Sequence, residues 1–262
     1  MTNLFDLTGK TAFITGGASG LGFAMAEAFV EQGAHVVIAD IDAPGAERAA
    51  QRLTQAGHSA QGIMLDVRNP LTIRESIKAV AAEHGGLDIV CANAGISGGA
   101  PFSDPAGEIE NVDLATWDNV VRINQTGVFA TMQAAACVMK PQRSGRIIVT
   151  CSISGLRTGV ISGYAYAATK AAVVHLVHLA AVELAPFNIM VNGIAPGPFL
   201  TNIAGGRLHR EPERVAFMAD SVPMKRVADP QELKGLALLL ASGASSYLTG
   251  TVIPIDGGAT AM

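Results

Sequence analysis

The sequence has little charge and lacks a long uninterrupted apolar run. Charged residues make up 15% of its 262 positions, and the formal net charge is −4, so there is no basic field that would hold nucleic acid. Apolar residues make up 49%, which excludes a disordered chain. The most apolar helical stretch, Ala171–Ala185, is interrupted by His175, His178 and Glu183, which disfavours a membrane span of about 18 residues.

Cysteines are also few. Cys91, Cys137 and Cys151 are widely spaced and form no Cys-x-x-Cys pair, so we expect neither a disulfide framework nor a structural zinc site. Residues 1–10 lack a basic segment followed by an apolar core, which is not the pattern of a signal peptide. The composition favours a cytoplasmic protein.

Short apolar segments alternate with segments of helical period. We predict strands over Thr11–Thr15, His35–Ala39, Ala60–Leu65, Asp88–Ala92, Arg146–Cys151, Asn188–Ile194 and Thr251–Ile255. We predict helices over Leu21–Glu31, Pro44–Gln55, Pro70–Glu83, Trp117–Met139, Ala165–Ala185 and Pro230–Ala241. This alternation predicts a single α/β domain over residues 1–262, with a doubly wound parallel sheet of about seven strands and helices on both faces.

Two segments lack a clear pattern. Ser97–Ala115 and Pro196–Pro223 are long for loops of a compact domain, and loops of this length are usually functional. We expect both to line a substrate site. Asn69-Pro70 and Asp229-Pro230 each predict an N-cap followed by proline at the first helical position, and Glu232 would complete a capping box with Asp229.

A glycine-rich turn joins the first strand to the first helix and reads Thr15-Gly-Gly-Ala-Ser-Gly-Leu-Gly22. Glycines let backbone N–H groups approach a pyrophosphate, and a helix N-terminus favours its charge. Gly22 would let the helix pack closely on the sheet. The residues assigned to this cofactor site are Gly16, Ser19, Gly20, Leu21 and Gly22.

Asp40 ends the second predicted strand, where a dinucleotide fold places the acid that binds both hydroxyls of the adenosine ribose. A carboxylate there repels a 2′-phosphate, and no Arg or Lys lies in Gly16–Gly22 or Asp40–Asp42, which favours NAD over NADP. Ile41 is assigned to the same site. Asp42 competes for the acidic role, although it lies farther from the strand.

Further motifs follow in order along the chain: Asn93-Ala94-Gly95, Asn124, Ser152, Tyr166-Ala-Ala-Thr-Lys170 and Pro196-Gly197. Together with the glycine-rich turn, they resemble the short-chain dehydrogenase/reductase family over nearly the whole chain. The resemblance implies a Rossmann-type fold, NAD(P) as cofactor, and hydride transfer to or from a carbonyl or alcohol carbon. It also implies a homotetramer or homodimer.

The resemblance assigns a role to each motif. Asn124, Ser152, Tyr166 and Lys170 are the expected catalytic residues. Asn124 would distort its helix and hold a water that links Lys170 to solvent, and Lys170 would also hold the nicotinamide ribose. The remaining cofactor contacts are expected at Asp66, Val67, Asn93, Ala94, Gly95, Pro196, Gly197, Phe199 and Thr201.

Tyr166 and Lys170 are four residues apart on one predicted helix and therefore share a face. The pKa of a free tyrosine is about 10, and the ammonium of Lys170 would favour the phenolate. A phenolate can accept the proton of a substrate alcohol. Tyr164 is a poorer candidate, because position 168 is Ala rather than Lys.

Ser152 follows the fifth predicted strand and would orient the reacting oxygen. Ser154 is a rival, since the spacing from Ser152 to Tyr166 is one residue longer than the family pattern. Cys151 is expected to be a buried strand residue rather than a nucleophile. His175 and His178 are expected to face solvent or another subunit, and no metal is expected.

The sequence therefore predicts an NAD-dependent oxidoreductase acting on a secondary alcohol or ketone. Two alternatives are an NADPH-dependent 3-oxoacyl-type reductase of the same family and a noncatalytic dinucleotide-binding regulator. The substrate could be a polyol or sugar, a hydroxy acid or a cyclic alcohol. Neither nucleic acid nor a membrane is an expected partner.

Overall fold

The computed structural model describes residues 3–159, 161–203 and 206–262. Within them the strands form one parallel sheet of seven strands in the order β3-β2-β1-β4-β5-β6-β7, which confirms the predicted fold class. The strands are β1 Thr11–Thr15, β2 His35–Asp40, β3 Ser59–Met64, β4 Ile89–Ala92, β5 Gly145–Thr150, β6 Ile189–Pro196 and β7 Val252–Ile255. Their bounds differ from the predicted ones by two residues at most.

Helices cover both faces of this sheet. They are α1 Gly20–Val30, α2 Ala43–Gln55, α3 Pro70–Glu83, α4 Leu114–Val121, α5 Val128–Gln142, α6 Tyr164–Leu184, α7 Arg207–Arg210, α8 Pro212–Asp220 and α9 Lys234–Ala241. The predicted caps are present. The Asn69 side chain accepts from Leu71 and Thr72, and Asp229 and Glu232 form the capping box.

The predicted single helix Trp117–Met139 is wrong. Asp113 caps an earlier start by accepting from the N–H groups of Ala115 and Thr116. The helix then changes to a π-helical segment over Arg122–Gly127, and α5 continues to Gln142. Such π-helical segments are rare single-turn insertions in α-helices and are frequent at functional sites.

The segment Pro196–Pro223, left unassigned above, contains helices α7 and α8. Pro212 takes the first position of α8, where its missing N–H has no cost. The sequence gives little sign of these helices because α8 buries none of its residues against the core. Residues 204 and 205 of this segment lie outside the described residues.

The core has one layer on each face of the sheet. Alternate residues of each strand enter opposite layers. Phe13, Val37, Val90, Ile147 and Val191 join one layer with α3, α5 and α6. Ile14, Ile38, Cys91, Ile148 and Ile194 join the other with α1, α2 and α9. Because every strand runs in the same direction, the segments that follow β1 to β6 meet at one edge.

Helix α6 and the turn after it, Tyr164–Phe187, are long and apolar enough to meet the length and composition of a membrane span. One side of α6 packs into the core through Val173, Val177, Ala181 and Leu184. Part of the apolar character of α6 therefore comes from residues that pack against the sheet.

Candidate active site

The glycine-rich turn after β1 is held against the end of β4. The Asn93 side-chain amide donates two hydrogen bonds, each 3.0 Å, to the carbonyl oxygens of Thr15 and Gly16. The Thr15 hydroxyl accepts from the backbone N–H groups of Asn93 and Ala94. Sequence reasoning missed this role of Thr15. Its signal was a hydroxyl side chain at the carboxyl end of a strand whose three central residues are apolar.

Two positions in this turn admit only glycine. Gly16 has φ +64°, and a Cβ there would lie 2.8 Å from Ala94 Cα. A Cβ on Gly22 would overlap the Gly16 carbonyl oxygen and lie 2.6 Å from Asn93 Nδ2. Gly22 was predicted to bring the helix close to the sheet. Its closest contacts are instead with the turn and with Asn93.

Helix α1 starts at this turn. Ser19 is its N-cap, but the Ser19 side chain makes no capping hydrogen bond. Gly20 opens the helix with φ +55°, and a Cβ there would lie 3.5 Å from the Thr201 side chain. Leu21 packs partly buried against the core. The first N–H groups of α1 and the glycine backbone therefore form a cradle that fits a dinucleotide pyrophosphate.

Asp40 and Asp42 have different surroundings. Asp40 accepts from the N–H of Ala18 in the turn and from the N–H of Asp42, both at 3.1 Å. Asp42 caps α2 by accepting from Gly45 and lies 3.7 Å from the Arg48 guanidinium. Of these two acids, Asp40 is the one bonded to the glycine-rich turn, and its contact with the adenosine ribose stays a prediction. Ile41 beside it is more than half exposed.

Asp66 and Val67 follow β3 on the same edge. Asp66 is hydrogen-bonded to the Arg68 guanidinium at 2.6 Å. These hydrogen bonds with Arg68 lower the pKa of the Asp66 carboxyl. The carbonyl of Val67 faces Gly127, where a Cβ would lie 2.9 Å from it. An adenine contact by Asp66 and Val67 stays a prediction.

Tyr166 and Lys170 lie on α6, and Ser152 follows β5. The Lys170 ammonium donates to the Thr150 carbonyl at 2.7 Å and lies 5.6 Å from the centre of the Tyr166 ring. Ser152 lies close enough to Tyr166 for its hydroxyl to lower the pKa of that tyrosine. The structure thus brings Ser152, Tyr166 and Lys170 together, and it adds Thr150, which sequence reasoning did not single out.

Ser154 lies in the same turn but has another partner. Its hydroxyl pairs with the Ser162 hydroxyl at 2.8 Å, whereas the Ser152 hydroxyl accepts from the Ser154 N–H. Of the two serines, Ser152 is the one beside Tyr166. Cys151 is 1% exposed, and burial raises the pKa of its thiol to about 11, so at neutral pH it is an uncharged core residue.

Burial dominates the electrostatics of the catalytic pair. It raises the pKa of Tyr166, and the Ser152 hydroxyl opposes that rise. Burial also lowers the pKa of Lys170 to about 8. In the protein alone, desolvation therefore outweighs the expected lowering of the Tyr166 pKa by Lys170. A lowered pKa stays a prediction for the complex with oxidised cofactor, whose positive charge would add to that of Lys170.

Asn124 lies within the π-helical segment and is fully buried. Its side chain accepts from the N–H of Ile96 and donates to the carbonyl of Ile96, both at 2.8 Å. A Cβ on Gly95 would lie 3.3 Å from Asn124 Oδ1 and 3.8 Å from Lys170 Nζ. The helix is distorted at Asn124, as the resemblance implied. The water link to Lys170 stays a prediction.

The loop after β6 runs back to the start of α1. Gly197 donates to the Ile255 carbonyl at 3.0 Å, and a Cβ on Gly197 would lie 2.7 Å from Asp256 Cα. Phe199 forms an isolated parallel β-bridge with Ala228. Thr201 is 9% exposed and lies next to Gly20. The loop that contains Pro196, Gly197, Phe199 and Thr201 therefore joins the end of β6 to the start of α1, and its contacts with the nicotinamide stay a prediction.

His175 and His178 form a ring contact, with their centres 6.1 Å apart. Among the described residues, no group of three or more His, Cys, Asp or Glu side chains has the arrangement of a metal site. All three cysteines are free thiols.

The fold and the site define a dinucleotide-binding α/β protein with a Ser-Tyr-Lys cluster beside the cofactor cradle. A family model described as enoyl-(acyl carrier protein) reductase matches residues 16–260. A short-chain type dehydrogenase/reductase from Mycobacterium marinum superposes with a TM-score of 0.91 at 38% identity, covering 99% of this chain and 98% of that one. The chain belongs to the short-chain dehydrogenase/reductase family of oxidoreductases.

Several relatives have named activities. Oxidoreductase UcpA of Escherichia coli (strain K12) is 39% identical over 97% of this chain and 95% of its own length. The 5-keto-D-gluconate 5-reductase of the same strain is 37% identical over 98% of both chains. Cyclohexanol dehydrogenase of Rhodococcus sp. (strain TK6) is 37% identical over 99% of both.

A second solved structure contains a cofactor. A gluconate 5-dehydrogenase from Burkholderia cenocepacia J2315, in complex with NADP and tartrate, has a TM-score of 0.90 at 32% identity. The superposition covers 99% of this chain and 98% of the gluconate 5-dehydrogenase chain. Three of these relatives are named for small alcohol or keto substrates, and the dinucleotide bound by this solved relative is NADP.

Proposed function

We propose that this protein is an NAD-dependent alcohol dehydrogenase and ketone reductase in which Tyr166 transfers the proton. The observation that carries the proposal is the cluster of Ser152, Tyr166 and Lys170 beside the glycine cradle, with Asp40 at the end of β2. The noncatalytic alternative is disfavoured, because such a regulator does not need a buried ammonium beside a buried tyrosine.

The residues of the chain divide the work between binding and proton transfer. The backbone of Gly16–Gly22 and the N-terminus of α1 would hold the pyrophosphate, and Asp40 would accept hydrogen bonds from the adenosine ribose hydroxyls. When bound, NAD supplies the hydride acceptor, and NADH supplies the donor. Protein side chains position the substrate oxygen and transfer its proton.

The substrate oxygen is expected to lie between Ser152 and Tyr166. Ser152 donates a hydrogen bond to it, which fixes its direction. In oxidation the Tyr166 oxygen accepts the hydroxyl proton, and in reduction the Tyr166 hydroxyl returns it. The Lys170 ammonium, held by the Thr150 carbonyl, stabilises the phenolate. Burial of the cluster excludes water and strengthens each of these interactions.

The cofactor preference for NAD rests on Asp40. Each of its carboxylate oxygens already accepts one backbone N–H, which leaves acceptor capacity for the ribose hydroxyls. An ionised carboxylate has no hydrogen to donate to a 2′-phosphate and repels its charge. The NADP-bound relative is the reason to keep the NADPH-dependent reductase as the second candidate.

Cofactor preference is tested by the ratio of kcat/KM with NAD to kcat/KM with NADP. We expect the wild type to favour NAD, and we expect Asp40→Ala to reduce that ratio roughly 100-fold, because like charges cost several kcal/mol. Asp42→Ala removes the same charge two residues away and should change the ratio little. A wild type that favours NADP would refute the assignment, and a larger effect at Asp42 would transfer the role to that residue.

The assembly is proposed to be a homotetramer or homodimer. Helices α5 and α6 expose Phe129, Leu179 and Val182 on the side away from the sheet, and large exposed apolar side chains of this kind often mark a subunit contact. We also place the protein in the cytoplasm, since its three cysteines are free thiols.

A further inference from the structure

Thr150, the last residue of β5, has two polar partners on different parts of the site. Its carbonyl oxygen accepts from the Lys170 ammonium at 2.7 Å. Its hydroxyl donates to Asn93 Oδ1 at 2.9 Å, and the residue is 8% exposed. The proton transfer assigned to Tyr166 uses the carbonyl but gives the hydroxyl no part, so the hydroxyl needs its own explanation.

The alternation of side chains along β5 places this hydroxyl on the face of the sheet that α1 covers. Ile148 belongs to the core layer of α1, and Thr150, two residues later on the same strand, lies on the same face. The pairing of β4 with β5 ends with Ala92 opposite Val149. Asn93 and Thr150 therefore follow side by side, at the edge of the sheet where the glycine-rich turn lies.

The two ends of the Asn93 amide have different partners. Nδ2 donates to the carbonyl oxygens of Thr15 and Gly16, whereas Oδ1 accepts from the Thr150 hydroxyl. Only the nitrogen of a side-chain amide carries hydrogens to donate, so a rotated amide would place Oδ1 against two carbonyl oxygens. By giving Oδ1 a donor, the Thr150 hydroxyl favours the orientation in which the amide holds the turn.

The same amide lies against the first turn of α1. A Cβ on Gly22 would lie 2.6 Å from Asn93 Nδ2, and a Cβ on Gly16 would lie 3.2 Å from it. No side chain fits between the amide and these two glycines, so rotation of the amide would displace the backbone of the turn. A site that binds an anion through backbone N–H groups depends on the directions of those groups.

We propose that Thr150 is a positioning residue for the dinucleotide, whose hydroxyl orients the Asn93 amide and so fixes the turn that holds the pyrophosphate. This inference rests on the proposed function, because the cradle must bind NAD(H). Without the hydroxyl, the free protein can rotate the amide to find Oδ1 another donor, which releases the turn. Binding of the cofactor must then turn the amide back, and that cost weakens the affinity for the cofactor.

The test measures the Kd for NADH by fluorescence titration of the wild type, Thr150→Val and Thr150→Ser. Valine keeps the shape of the side chain and removes the hydroxyl, so the Kd should rise about tenfold, as expected for a lost hydrogen bond to a buried amide. The KM for NAD should rise with it, while kcat at saturating NAD falls less than about threefold. Serine keeps the hydroxyl, and its Kd should stay within about twofold of the wild-type value.

Two further measurements locate the effect. ADP-ribose contains the pyrophosphate but no nicotinamide, and its Kd should rise by the same factor in Thr150→Val. A rise for NADH alone would place the effect at the nicotinamide and overturn the proposal. In an Asn93→Ala background, Thr150→Val should change the Kd for NADH less than about twofold, because the hydroxyl acts through the amide. A full effect in that background would also overturn it.

Thr249→Val is the matched control. Thr249 precedes β7 at the opposite edge of the sheet, and its hydroxyl accepts from the Val191 N–H at 3.0 Å. Its replacement should leave the Kd for NADH within about twofold of the wild-type value.

Equal Kd values in the wild type and Thr150→Val, or an equal loss in Thr150→Ser or Thr249→Val, would reject the role of Thr150. These outcomes are distinct from failure of the proposed function. A wild type that binds NADPH but not NADH refutes the cofactor preference alone, and the same ratios measured with NADPH then decide Thr150. A wild type that binds neither dinucleotide overturns both.

Discussion

Lys170 carries the least favourable electrostatics of the described site. It is 2% exposed, its ammonium donates to the Thr150 carbonyl, and burial lowers its pKa from 10.5 to about 8. This shift means that the folded state disfavours the ammonium by on the order of 3 kcal/mol relative to the unfolded chain. Such a group is typical of functional sites, where stability is lower than the fold would allow.

We therefore expect Lys170→Met to increase the free energy of unfolding at pH 7 by about 1–3 kcal/mol, while abolishing activity. The folded-state pKa is lowered, so the wild type is penalised below pH 8 and the penalty disappears as the pH rises toward 10.5. The difference between variant and wild type should shrink across that window. Urea denaturation at pH 7 and at pH 9.5 measures it.

Lys78→Met is the control for this experiment. Lys78 is exposed on α3, so its replacement should change the free energy of unfolding by less than about 0.5 kcal/mol at either pH. A Lys170→Met protein that is less stable than the wild type at pH 7, or a difference that does not vary with pH, would contradict this account of Lys170.

The π-helical segment between α4 and α5 bonds the end of another segment through the Asn124 side chain. Asn124 satisfies both backbone groups of Ile96, which begins the segment toward Ser97 and the substrate site. Asparagine is poor within helices because it competes for backbone hydrogen bonds. In this protein the Asn124 side chain lies within the π-helical segment and bonds the backbone of Ile96 instead of its own helix.

Asn124→Ala leaves the partly buried N–H and carbonyl groups of Ile96 without their partner. We expect the free energy of unfolding to fall by about 2–4 kcal/mol, because each unpaired buried group costs about 1–3 kcal/mol. Asn119→Ala, at an exposed position of the adjoining α4, should cost less than about 0.5 kcal/mol. Thermal or urea denaturation of both variants measures this, and equal stabilities would show that the bonds to Ile96 contribute little.

At the scale of elements, most strands were predictable because they are short, mainly apolar runs that end near glycine, asparagine or aspartate. The ends of the strands also place Asp40, Asn93 and Ser152 at one edge, which the order of motifs indicates. The π-helical segment was not predictable from spacing. Nor were α7 and α8, since α8 buries none of its residues in the core and leaves no apolar period. The choice between Ser152 and Ser154 needed their hydrogen bonds.

For the whole molecule, the exposed apolar surface of α5 and α6 predicts self-association. Val182 is 80% exposed and Leu179 lies one turn earlier on the same helix. Val182→Glu would place a charge in the contact, which is costly when unpaired. Light scattering at micromolar concentration should give a dimer or tetramer for the wild type and a smaller species for Val182→Glu.

Leu71→Glu is a suitable control for assembly, since Leu71 is similarly exposed on α3. It should leave the mass in solution unchanged. A monomeric wild type would reject the proposed assembly, and a Val182→Glu protein of unchanged mass would place the contact on another surface.

The proton transfer assigned to Tyr166 is the central claim, and the pH dependence of alcohol oxidation by wild type and Tyr166→Phe tests it most directly. The substitution removes only the hydroxyl, so folding and NADH binding should survive. We predict that wild-type kcat/KM rises with pH as Tyr166 ionises. In Tyr166→Phe, kcat should fall at least about 100-fold and the rise should vanish. A folded Tyr166→Phe enzyme with near-wild-type kcat and the same pH profile would contradict the mechanism.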